Sequence, residues 1–231
     1  MKKLDRFHSL SRLGEGGAAT VYKAEEQLAP GVSRAVALKV FAAIAAGDRA
    51  GEARFARELR PLVALDGHPS VVGFYGAGIT DSIPWIAMEY AGQTLADSLG
   101  ELGVDPGLIQ RLLEDVGRGL AGMHELEPPI LHNDLKPQNI LIGKGGCCKI
   151  SDFGVASSPN EERTRVVTTV RYSAPELLSR EFGQVCAATD LYALGHVAYE
   201  LALGGKLHRQ QFPGVFDERS KSSENNPAKW M

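Results

Sequence analysis

The sequence predicts an α+β fold in two parts, a small β-rich lobe with one key helix and a larger helical lobe. Three observations predict it. Residues 1–90 carry short β-prone runs around a single helical pattern. Beyond Ala91 the apolar residues recur at the spacing of long amphipathic helices. Glycine, proline and polar clusters punctuate the chain where the pattern changes. The resulting boundaries are 1–90 for the first lobe, 91–214 for the second and 215–231 for a polar tail.

Val21-Tyr22-Lys23-Ala24 and the run from Ala35 to Phe41 are β-prone and separated by a Pro30-Gly31 turn. Phe55, Leu59, Leu62 and Val63 follow at helical spacing, with arginines on the opposite face, and His68-Pro69 ends that region. Val71 to Tyr75 and Ile83 to Tyr90 read as two further strands. In the second lobe, Leu108, Ile109, Leu112, Leu113, Val116, Leu120 and Met123 keep one helical face. Asp105-Pro106 supplies a cap and a first-turn proline for that helix. Ile140-Leu141-Ile142, a Gly145-Gly146 turn and an apolar segment ending at Ile150 form a hairpin. Leu191, Leu194, Val197, Ala198 and Leu201 make a second long helix, ended by Gly204-Gly205. Asp217 to Lys229 has the composition of loop or tail. No internal repeat is visible.

With 231 residues and 44% hydrophobic content, the chain can bury a sizeable core. A net charge of −3 offers no electrostatic case for nucleic acid or an anionic membrane surface. Lys2-Lys3 is not followed by an apolar run, so a secretory signal is not expected. No stretch approaches the roughly 20 apolar residues that span a bilayer. The three cysteines make no disulfide framework, which fits a reducing, cytoplasmic setting. Cys147 and Cys148 are expected to alternate across a strand, one inward and one outward. The six histidines show no metal-ligand spacing.

The most informative stretch is His132-Asn133-Asp134-Leu135-Lys136-Pro137-Gln138-Asn139, followed by Asp152-Phe153-Gly154. It sets an acid, a lysine, an amide and a second acid at spacings that phosphoryl transfer from ATP can use. Asp134 can accept a hydroxyl proton, and Asn139 and Asp152 can hold Mg²⁺ on the phosphates. The intervening hairpin would carry both metal ligands to one edge of a cleft. Gly14, Gly16 and Gly17 allow close backbone approach to a phosphate tail, because they carry no Cβ. Lys39, on an apolar strand, needs a partner or a ligand.

These segments resemble the signatures of eukaryotic-type (Hanks-type) serine/threonine protein kinases, in the order that family has them. Gly14 to Val21 is similar to the glycine-rich loop and Val36-Ala37-Leu38-Lys39 to the ATP-contacting strand. Ala174-Pro175-Glu176 is similar to the end of the activation segment, and the resemblance runs from about Leu13 to about Gly204. It implies a bilobal protein-kinase-like fold, ATP and Mg²⁺ as cofactors, and protein serine or threonine hydroxyls as substrates. By resemblance, Lys39 contacts the phosphates and pairs with a glutamate of the following helix, Glu58 rather than Glu52. Asp134 is the base, Lys136 neutralises the transferring group, and Thr169 bridges the two. Leu13, Val21, Ala37 and Leu141 line the adenine slot, Met88 is the gatekeeper, and Glu89 and Ala91 offer hinge backbone groups. Asp190 ties down the catalytic loop, while His132 and Phe153 are packing residues. Lys136 and Thr169 match serine/threonine rather than tyrosine kinases. The other readings are a kinase-like scaffold without activity and a small-molecule phosphotransferase of aminoglycoside-kinase type.

The chain departs from the family's pattern at several places. Ala19 stands where a third glycine is usual. Asn133 replaces the arginine that commonly receives an activation-segment phosphate, and it carries no charge with which to do so. Thr164 and Thr168 remain candidate phosphosites. After Gly204 the chain offers mostly polar residues, so the second lobe is expected to be incomplete. Glu176 is then expected to be a buried carboxylate without its cation, with Arg209 or Arg219 as substitutes. Marginal stability and an apolar surface on the Leu191 to Leu203 helix are expected to follow.

Overall fold

The computed structural model describes residues 5–16, 19–45, 47–99, 106–158 and 171–204. Gly17, Asp105, Thr164, Thr168, Thr169, Gly205, Arg209, Arg219 and the polar tail lie outside the described residues.

The first lobe is an antiparallel sheet of β1 (Phe7–Glu15), β2 (Ala19–Ala29), β3 (Val32–Phe41), β4 (Phe74–Thr80) and β5 (Ile83–Glu89), ordered β1-β2-β3-β5-β4. Pro30-Gly31 turns β2 into β3, with Gly31 at φ 76°, where a side chain would be strained. Alternation along the strands gives the sheet two working faces. Phe7, Ala24, Val36, Leu38, Trp85 and Ala87 form a small apolar cluster on one. Buried Glu26 beside it is held by Arg6 at 3.0 Å and Arg34 at 2.7 Å. On the other face, Lys39 and Phe41 turn toward the second lobe, and Phe41 joins the main core.

Two strands differ from the sequence reading. The first, β1, carries no apolar alternation, since Phe7 is its one buried residue. The second, β4, begins at Phe74, so Val71 and Val72 are not strand residues of this sheet. They are buried in a segment laid against the second lobe, where Val72 N–H donates to Ile150 O at 2.9 Å. Gly78 hides β4 from a propensity reading, and packing requires it, because a Cβ there would lie 2.9 Å from the Trp85 ring.

Helix α1 (Arg49–Ala64) starts at Asp48, whose carboxylate accepts from Gly51 N at 3.0 Å. It buries Glu58, Pro61 and Leu62, with Phe55 and Leu59 half-buried against the core. Val63 was expected on this face but is 55% exposed, because it lies about 100° around the helix from Leu62.

A short strand β6 (Gln93–Thr94), two residues long and silent in the sequence reading, leads into α2 (Leu95–Ser98). Helix α3 (Pro106–His124) buries Leu108, Leu112, Val116, Leu120 and Met123. Leu113, expected among them, is exposed. The hairpin of β7 (Ile140–Ile142) and β8 (Cys148–Ile150) pairs Ile140 with Ile150 and Ile142 with Cys148. Gly145 and Gly146 make its turn at φ 77° and 79°. Cys148 is buried, while Cys147 precedes the strand and is half-buried. The short α4 (Pro175–Leu178) precedes α5 (Ala187–Ala202), which buries Leu194, Val197 and Leu201. Leu191 was expected inside but is exposed, as are Tyr192 and Tyr199 on the same helix.

One apolar cluster runs through both lobes, joining Phe41, Leu62, Val72 and Met88 to Leu112, Val116, Ile150, Phe153 and Val197. Each such side chain contributes about 1.5–3 kcal/mol when fully buried. This shared core packs the two lobes against each other.

Candidate active site

Lys39 is the junction of three elements. It is 9% exposed on β3, and its ammonium pairs with Glu58 of α1 and, at 2.8 Å, with Asp152 after β8. Glu52 is exposed in the first turn of α1, so of the two sequence candidates Glu58 makes the pair. Burial works to lower the Lys39 pKa, but the Glu58 and Asp152 charges outweigh it and hold it above the ordinary value. The two carboxylates share this one ammonium and diverge. Burial pushes Glu58 up to about 7 against the opposing pull of Lys39. For Asp152 burial also acts upward, but Lys39 prevails and holds the carboxyl below its usual range. Asp152 sits at φ 63°, a left-handed conformation that turns its carboxylate toward Lys39, and its side chain remains 46% exposed.

The loop 132–139 is held from behind. Asp190, fully buried at the start of α5, accepts from His132 N–H at 2.9 Å and Asn133 N–H at 2.8 Å. It also contacts His124 Nε2 at 2.8 Å. The His132 ring reaches Ser151 O at 3.1 Å and lies 5.5 Å from the Phe153 ring. In front, Lys136 Nζ lies 2.6 Å from Asp134 Oδ2. Asn139 Nδ2 donates to Asp134 O at 2.8 Å and to Asp134 Oδ2 at 3.3 Å. Ser151 then donates to Asn139 O through both N–H, at 2.9 Å, and hydroxyl, at 3.0 Å. The acid, lysine and amide of the loop and the acid beyond the hairpin are therefore brought together.

Asn133 has a structural task in place of a charge. It adopts φ 65°, which asparagine tolerates better than most residues. Its amide donates to Leu131 O at 3.1 Å, Val155 O at 3.3 Å and Ser157 Oγ at 3.0 Å. The loop is thereby sewn to the segment that follows Gly154.

The roof comes from β1, β2 and β3. Gly14 pairs with Val21, Val21 with Lys39, and Ala37 with Met88. Gly16 N–H closes a turn onto Ala19 O at 2.9 Å. A Cβ at Gly14 would meet nothing within 4 Å, so protein packing is not what calls for glycine there. Leu13 is half exposed, while Val21, Ala37 and Ala91 are half-buried, as is Leu141 on β7. The Glu89 N–H is committed to Gly73 O at 2.8 Å, so a base contact from Glu89 falls to its carbonyl.

Glu176 corrects an expectation. It was expected to be buried without its cation, but it is half-buried and accepts from the Thr189 hydroxyl at 2.7 Å, while Arg209 and Arg219 lie outside the described residues. The deeply buried carboxylate of this region is Glu200, 3% exposed, paired with Arg171 at 2.7 Å and bonded by the Tyr172 hydroxyl at 2.5 Å. Tyr172 also lines a depression beside Asp134, with Leu135, Leu177 and Ala193. Sequence reading missed Glu200 and Thr189, and the only available signal was a charged or polar residue inside an apolar helix.

Residues 7–225 match the family model of the protein kinase domain. The chain is 35% identical over 205 residues to serine/threonine-protein kinase PrkC of Bacillus subtilis, covering 86% of this chain and 30% of that protein. It is 34% identical over 212 residues to serine/threonine-protein kinase PknB of Mycolicibacterium smegmatis, covering 87% and 33%. To the DNA damage-responsive serine/threonine-protein kinase RqkA of Deinococcus radiodurans it is 36% identical over 210 residues, covering 86% and 30%. The chain thus spans about a third of the length of these relatives.

Proposed function

The chain belongs to the protein kinase domain family, and on that premise we propose that it transfers the γ-phosphate of ATP to serine or threonine hydroxyls of protein substrates. The observation that carries this reading is the Lys39 ammonium joining Glu58 to Asp152, beside the Asp134, Lys136 and Asn139 cluster. A scaffold has no need of a buried lysine held between two carboxylates.

Hard oxygen donors suit Mg²⁺. Asn139 spends its amide nitrogen on Asp134, which leaves its amide oxygen for a metal, and the half-exposed Asp152 offers a carboxylate. The donor set fits, and these two residues would hold the metal. Bound there, Mg²⁺ would offset the charge of the phosphate tail. Lys39, kept cationic by its two carboxylates, would orient the α- and β-phosphates, and Glu58 would fix the lysine. Gly14, Gly16 and Gly17, with no Cβ, would let the backbone come close to the phosphates. Leu13, Val21, Ala37, Met88 and Leu141 would enclose the base, with backbone groups of Glu89 and Ala91 at its edge. Asp134 would accept the substrate hydroxyl's proton, Lys136 would balance charge on the phosphoryl group in flight, and Thr169 would steady the pair.

Among the described residues no helix is long and apolar enough to cross a membrane. ATP use and three free cysteines point to action in the cytoplasm. The test is mass spectrometry of the purified chain, and of acceptor proteins, after incubation with Mg-ATP. Phosphoserine or phosphothreonine in the product supports the reading. No transfer to any protein, or transfer to aminoglycosides alone, would sink it.

A further inference from the structure

We infer that Lys149 is a positioning residue for nucleotide binding, locking the strand that joins the lobes to the hairpin that carries the metal ligands. This rests on the proposed phosphotransfer reading. Lys149 is outside every motif that the sequence displays, and its ion-pair partner is a residue other than Glu58, Asp134 or Asp152. Its Nζ lies 2.5 Å from Glu89 Oε2 at the end of β5, sixty residues away in the chain. The same Oε2 accepts from Gly73 N–H at 3.1 Å, and Glu89 N–H returns to Gly73 O at 2.8 Å. Glu89 and Gly73 therefore close a ring of paired hydrogen bonds, capped by the ammonium. The fit at Gly73 is close, because a Cβ there would stand 3.2 Å from that carboxylate oxygen.

The other end of the link is equally firm. On β8, Lys149 lies between Cys148 and Ile150, both fully buried, so its backbone cannot shift independently. Ile150 bonds to the segment before Gly73 in both directions, at 2.9 Å from Val72 N–H and 2.9 Å to Ser70 O. Across the hairpin, Lys149 pairs with Leu141. Glu89 at the base edge and Leu141 below the base are thus set by one residue, through an ion pair and through strand register. Asp152 follows three positions later. The pair is mostly buried, with side chains 18% and 26% exposed, so solvent screens it only in part. Loss of the link should loosen nucleotide binding and leave the transfer step intact.

In the full chain, Lys149→Met should weaken Mg-ADP binding in calorimetry and raise KM for ATP by about fivefold, with kcat within about twofold, the scale of coupling inside one hydrogen-bonded network. Glu89→Gln should do the same, and it serves as the test if Lys149→Met does not fold. The double variant should be no worse than either single one, and Lys149→Arg should recover most of the affinity. Lys144→Met, on the exposed turn of the same hairpin, should bind like the parent chain. The inference is overturned if Lys149→Met binds Mg-ADP normally, if the losses multiply in the double variant, if Lys144→Met weakens binding equally, or if kcat alone falls. If the parent chain itself neither binds Mg-ADP nor transfers phosphate, the functional reading falls, and this inference falls with it.

Discussion

Replacing Glu58 by glutamine separates what this side chain does for the fold from what it does for the site. Glu58 is 4% exposed, and burial pushes its carboxyl from the ordinary 4.5 up to about 7 even with Lys39 bonded to it. A raised folded-state value means that the folded chain holds this proton more tightly than the unfolded chain. Stability from Glu58 is therefore fully present below pH 4.5 and lost as pH rises toward 7. The gap between those values, at roughly 1.4 kcal/mol per tenfold step in proton affinity, sets an upper limit of about 3 kcal/mol. The substituted amide cannot ionise and keeps an oxygen for Lys39. Urea denaturation of both chains without nucleotide, from pH 5 to pH 8, is the assay. Glu58→Gln should differ little from the parent near pH 5, gain on it by up to about 3 kcal/mol, and level off above about pH 7. The same variant should transfer phosphate more slowly, since Lys39 loses its charged anchor. A stability difference that is flat with pH, or largest at low pH, would refute the reasoning about this carboxylate.

Other expectations follow from the same geometry. Asp134→Asn should lower kcat by at least about a hundredfold, with nucleotide affinity kept, as for loss of a general base. Asp152→Asn should additionally weaken Mg²⁺-dependent nucleotide binding in calorimetry, and normal turnover by either variant contradicts the roles proposed. Asp190→Ala removes an acceptor bonded to two backbone N–H groups and touching His124, so it should cost about 2–4 kcal/mol in denaturant titration. It should also speed hydrogen exchange at His132 and Asn133, and unchanged exchange there would show that the loop is held by something else. Because the Asn133 amide is committed to Leu131, Val155 and Ser157, Thr164→Ala with Thr168→Ala should leave most activity in place. Phosphatase treatment should be nearly silent for the same reason, and if it abolishes turnover, another cation receives a phosphate on that segment.

The residues legible in the sequence are those whose chemistry is set by short spacing. His132 to Asn139 and Asp152 to Gly154 announce an acid, a lysine, an amide and a second acid within single turns and one hairpin. The stripes at Leu108 to Met123 and Leu194 to Leu201 announce their helices, because a 3.6-residue period survives whatever the helix packs against. The edges of those stripes were not legible. Val63, Leu113 and Leu191 are apolar and correctly spaced, yet they face solvent, because only the neighbouring elements decide how wide the buried face is.

Tertiary structure alone decided most of the pairings. Glu58 over Glu52 was legible by resemblance, and α1 does turn that face toward β3. Lys149 with Glu89, Glu200 with Arg171 and Tyr172, and Thr189 with Glu176 join residues far apart in the chain. No local propensity links such partners. Strand β4 shows the same limit from the other side. Val71 and Val72 have the composition of a strand but serve as the seam between lobes, whereas Gly78 sits in the strand because the Trp85 ring needs the room. Local spacing in the sequence determined which chemical groups the chain carries. The packing of the two lobes onto one core determined which of them meet, because burial and hydrogen bonding act between surfaces that exist only after folding.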